Sequence, residues 1–161
     1  MKLRKIWEAN FLNFELMFSG VCSLLFAVWS ELINKDLLIN RVLIDIREPL
    51  YSALVALFGS MLGFSIAAVA IVLGYANSDK LEIVRNSKHY EDLWGVFKSA
   101  MRVLTLATLF ALIGLIVDKD SAPVNLILYL NIFFSILSFF RIARTVWVLE
   151  NIIAIIAKPR K

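Results

Sequence analysis

The sequence predicts an all-α integral membrane protein, a bundle of four transmembrane helices that extend beyond the bilayer into the cytoplasm. Three observations carry this fold class. The chain is 60% hydrophobic and 19% charged, whereas a soluble domain is roughly 45–50% apolar and about 25% charged. Residues 49–78 contain no charged side chain. As a helix that run is about 45 Å long, more than the roughly 30 Å hydrocarbon core of a bilayer. The lysines and arginines, finally, alternate between the segments that flank the apolar runs.

Four runs are long enough to cross, at about 11–33, 49–76, 99–117 and 123–140, within one membrane domain covering 1–161. Each is expected to be helical, because within lipid only a helix satisfies its own backbone. The first run resembles a signal peptide in its basic start. Its apolar part is long, however, and no small-x-small cleavage pattern follows, so it reads as a retained span. The third has the shortest charge-free core, 103–117, with Arg102 able to snorkel at one end and Asp118 marking the other. Pro123 suits the first turn of the fourth helix.

Lys2, Arg4, Lys5, Lys80, Arg85, Lys88, Lys98, Arg102, Arg141, Arg144, Lys158, Arg160 and Lys161 fall in the N-terminal tail, the central loop and the C-terminal tail. Only Lys35, Arg41, Arg47 and Lys119 fall in the other two loops. This asymmetry places both termini and the central loop in the cytoplasm. Of the two outer loops, 34–48 reads as a short amphipathic helix lying in the interface.

The central loop holds the one histidine, His89, in LEIVRNSKHYEDLWGVFKSAMR. Tyr90, Trp94, Phe97, Met101 and Leu104 recur there at helical spacing, so the loop reads as a helical hairpin over 78–98. Its second arm starts near Ser87, a capping residue, and runs on to residue 117. His89 reads as a solvated or interfacial side chain. One histidine, one cysteine and no phosphate-binding glycine loop leave no metal site, cofactor or catalytic residue to nominate. Nucleic-acid binding is not expected either, since membrane topology accounts for the +4 net charge.

Inside the membrane, small residues mark helix packing. Gly59 and Gly63 form a GxxxG that continues to Ala67, and Ala111 and Gly114 lie on one face of the third span. Glu15, near the inner end of the first span, needs an ion-pair partner or a pore mouth; Arg102 and Arg141 end the third and fourth spans on its side. The tail 141–161 continues the fourth helix and is too apolar to stand alone. It is expected to pack on the hairpin as a cytoplasmic platform, with Tyr90, Trp94 and Phe97 on one side and Trp147 and Ile152 on the other.

The block GFSIAAVAIVLGYANSDKLEIVRNSKHYEDLWGVFKSA, about a quarter of the chain, resembles one found in small uncharacterised bacterial four-span inner-membrane proteins. The resemblance implies a bacterial inner membrane and no activity. In general architecture the chain is also similar to membrane components of anti-phage defence systems.

These features predict a non-enzymatic membrane protein, a homo-oligomer. It would act as a channel-like effector in bacterial defence, or as a membrane sensor or anchor for a cytosolic protein partner. The competing expectation is a small proton-coupled transporter that uses Glu15.

Overall fold

The structure is a computed structural model and describes residues 2–33, 43–75 and 90–157. Four long helices account for nearly all of them: α1 (Lys2–Ile33), α2 (Arg47–Tyr75), α3 (Tyr90–Val117) and α4 (Asn125–Ala157). No strand occurs among the described residues; the turn between α3 and α4 closes on a single bridge from Lys119 to Ala122. Each helix carries an apolar stretch long enough to cross a bilayer, Phe11–Ser30, Arg47–Gly74, Leu93–Val117 and Asn125–Ala154. Large apolar side chains such as Leu24, Ile116 and Phe139 face outward at 66–68% exposure. A surface of that kind belongs in hydrocarbon, so the chain is a multi-pass membrane protein.

Helices α2, α3 and α4 form the centre. Phe58, Leu104, Ala107, Ala111 and Phe134 make one apolar cluster across all three, and Ala68, Val72, Phe97 and Ile152 make a second. Ala107 and Ala111 are fully buried, and their small side chains bring the α3 backbone close to its neighbours. Phe110 stacks on Phe134 with ring centroids 4.9 Å apart. Beside them Asn131 donates from Nδ2 to the Phe110 carbonyl at 3.2 Å. Several hydroxyls are satisfied by their own helix: Ser60, Ser65, Thr105, Thr108 and Ser135 each donate to the carbonyl four residues back.

Helix α1 stands apart. It packs chiefly on α4, and none of its residues joins either apolar cluster. Polar contacts and aromatic edges hold it instead. Ser23 donates to the Tyr129 carbonyl at 2.9 Å, and Ser30 shares a 2.6 Å hydrogen bond with the Tyr129 hydroxyl. Phe18 meets Phe140 edge-on at 5.6 Å.

Three expected boundaries change. The third apolar stretch begins at Leu93 rather than 99. Lys98 is exposed while Leu93, Trp94 and Phe97 turn inward, so one outward charge does not end the stretch. The fourth runs past 140 to Ala154, and Arg141 and Arg144 within it are paired with Glu15. Pro123 precedes α4 instead of lying in its first turn. The expected interfacial helix over 34–48 falls mostly outside the described residues. Of its described residues before α2, 43 is helical and 44–46 form a turn, with Asp45 at φ 61°. The 78–89 part of the hairpin, with Ser87 and His89, also lies outside them.

Candidate functional site

At one end of the bundle Glu15 sits between two arginines of α4. Its Oε1 accepts from Arg144 Nε at 2.8 Å and Nη2 at 2.5 Å, and Arg141 Nη1 lies 2.9 Å from Oε2. Arg141 Nη2 also donates to the Leu12 carbonyl at 2.9 Å. The Phe11 ring covers the Arg144 guanidinium at 3.8 Å. Two residues three apart on α4 reach one carboxylate because they project from adjacent positions on one helical face. Glu15 and Arg141 are buried, so each is the other's replacement for water. Removing one partner from a buried pair costs about 3–5 kcal/mol.

At the other end Asp118 gathers three helices. Arg47 Nη1 lies 2.6 Å from both of its oxygens, and Tyr51 donates its hydroxyl to Oδ2. Oδ1 further accepts the Val124 backbone N–H at 2.7 Å just before α4. Asp120 adds a second carboxylate 3.5 Å from Arg47 Nε. One side chain thus ties the start of α2 to the end of α3 and caps the approach to α4.

The two clusters lie at opposite ends of the bundle. Val124 and Arg141 are 17 residues apart along the chain, about 26 Å at the helical rise, close to the roughly 30 Å hydrocarbon core.

The structure brings together Glu15 and Arg141, one of the two arginines expected beside it, and adds Arg144. Arg102 is exposed on α3 and forms no ion pair among the described residues, so its expected role at Glu15 is corrected. It lies on the face of α3 turned away from α2 and α4. Ala111 and Gly114 do pack, Gly114 against Tyr51. Gly59, Gly63 and Ala67 do not: all three are exposed, and a Cβ at either glycine would meet nothing within 4 Å. Their face of α2 points away from α3, so the GxxxG packs against none of the described residues.

Of the expected platform, Phe97 and Ile152 are buried in one cluster, with Trp94, Val148 and Leu149 against it. Trp147 is 62% exposed and takes no part. Tyr90 opens α3, and its side chain lies outside the described residues. The cluster also takes in Ala68 and Val72 of α2, so it is a three-helix continuation of the bundle instead of a separate two-helix layer.

Sequence reasoning missed the Arg47–Asp118–Tyr51 cluster. The signal was present: opposite charges immediately flank two charge-free runs at the same end of neighbouring antiparallel spans. Among the described residues, no three His, Cys, Asp or Glu side chains converge as a metal site. No protein-family model, curated protein or solved structure matches this chain.

Proposed function

We propose that the chain is a non-enzymatic homo-oligomer of a bacterial inner membrane, with both termini cytoplasmic, that acts on the bilayer as a channel-like effector. The setting would be the bacterial defence that its four-span architecture implies. One observation carries the reading. The small-residue face of α2, through Gly59, Gly63 and Ala67, is exposed and clear of the other described residues. Such faces let helix backbones approach and gain dispersion contacts in lipid. The polar groups of α1 and α4 engage one another, so a conducting path would form between copies.

The transporter reading finds less support. Glu15 is occupied by two guanidiniums of its own chain and is not free to receive a substrate cation. The anchor reading draws on Ile153, 58% exposed beyond the Glu15 cluster, where a cytosolic protein could dock.

The test is mass photometry in lipid nanodiscs, paired with conductance in planar bilayers, for the natural chain and for Gly63→Ile. A multimer that conducts, and that Gly63→Ile converts to a folded, silent monomer, is the expected result. A natural chain that is monomeric and silent would sink the proposal.

A further inference from the structure

Among the described residues, the Glu15 end holds more positive charge than it neutralises. Two guanidiniums face one carboxylate, with side-chain exposures of 4% for Arg141, 23% for Arg144 and 6% for Glu15. The donors also outnumber the acceptors. Buried Nε and Nη1 of Arg141 and Oε2 of Glu15 make no hydrogen bond, although Nη1 and Oε2 approach to 2.9 Å. A buried guanidinium with unmade hydrogen bonds is unfavourable, and a residual charge at the edge of hydrocarbon more so. An anion at the exposed edge of Arg144 would offset the charge.

Arg144 gives the route of approach. Glu15 takes its Nε and Nη2, and Phe11 covers one face of the guanidinium. The remaining exposed edge lies about 30 Å from the Asp118 cluster by helical rise, at the level of lipid headgroups. Trp147, three residues further along α4, is 62% exposed, and Trp29 near the opposite end of the bundle is 50% exposed. Exposed tryptophans at both ends are the usual markers of the two interfaces.

We propose that Arg144, with the charge of Arg141 buried behind it, binds the phosphate of an anionic phospholipid in the leaflet at the Glu15 end. A guanidinium matches phosphate oxygens with paired N–H donors. A phosphodiester carries one negative charge and so brings two guanidiniums and one carboxylate to neutrality. Phosphatidylglycerol is preferred to phosphatidylcholine, whose trimethylammonium adds positive charge beside the arginines. This inference is independent of whether the chain oligomerises or conducts.

The experiment is native mass spectrometry of the full chain released from mixed phosphatidylglycerol and phosphatidylcholine nanodiscs. The expected result is retained phosphatidylglycerol, a loss of roughly ten-fold in that preference for Arg144→Gln, and a gain for Glu15→Gln. Arg102→Gln, which alters an exposed arginine outside the cluster, should leave the preference unchanged. Equal retention of both lipids by the natural chain overturns the proposal. So does an equal loss for Arg102→Gln and Arg144→Gln, which would mean general surface charge. Should Arg144→Gln fail to fold, the lipid preference of the natural chain and its response to Glu15→Gln decide. Inorganic phosphate added at millimolar concentration distinguishes the source. Persistence of the bound lipid assigns the site to lipid, and displacement assigns it to phosphate in general.

Discussion

Gly114 of α3 lies directly beneath the aromatic ring of Tyr51 of α2. A Cβ at position 114 would stand 2.5 Å from Cε1 of that ring. Tyr51 is fully buried and its hydroxyl is fixed on Asp118, so the ring cannot swing away without breaking a hydrogen bond.

Gly114→Ala is therefore expected to destabilise the bundle by about 1–3 kcal/mol, the usual cost of overpacking. Gly59→Ala and Gly74→Ala meet open space and gain helix propensity, so they should leave the folded monomer as stable or slightly more so. Thermal unfolding in detergent compares the three. Equal losses would mean that the α2–α3 contact is not where the glycine is needed.

Asp118→Asn is expected to be the most damaging single change at its end of the bundle. It removes the charge that offsets buried Arg47 and should cost about 3–5 kcal/mol. Tyr51→Phe removes only a hydroxyl donor, at about 1 kcal/mol. A double-mutant cycle between Arg47→Met and Asp118→Leu should show strong coupling, with the double variant recovering part of the loss. Additive losses would mean that the two residues act separately.

Phe97 and Val148 belong to one apolar cluster. With Cys22 replaced by serine, cysteines at 97 and 148 should be bridged within one chain by a short bifunctional reagent. Bridging only between chains would show that the α3 and α4 extensions pack on neighbouring copies instead.

Orientation follows from the lysine and arginine distribution. A reporter active only in the periplasm and fused after Lys161 should stay silent, and the same reporter inserted after Lys119 should be active. Activity at Lys161 would invert or break the four-span topology.

The sequence by itself determined the class of fold. The 30-residue charge-free run at 49–78 and the overall composition leave the chain only lipid as a solvent for its apolar surface, and in lipid only helices close their hydrogen bonds. The continuation of α4 through the tail, and the pairing of Glu15 with Arg141, were also legible. The first followed from an uninterrupted helical pattern. The second followed because a carboxylate near the end of a span has few places to go.

Only the tertiary structure decided which face of each helix meets another. In water a helix shows its buried face by hydrophobic contrast, but a membrane helix is apolar all round. Thus nothing along the chain separates Gly114, which seats Tyr51, from Gly63, which meets nothing. Arg102 and Arg144 carry the same charge, both near where a span was expected to end, yet one is turned outward and the other closes on Glu15. The rotation of each helix about its own axis makes that choice, and packing against the neighbouring helices sets the rotation.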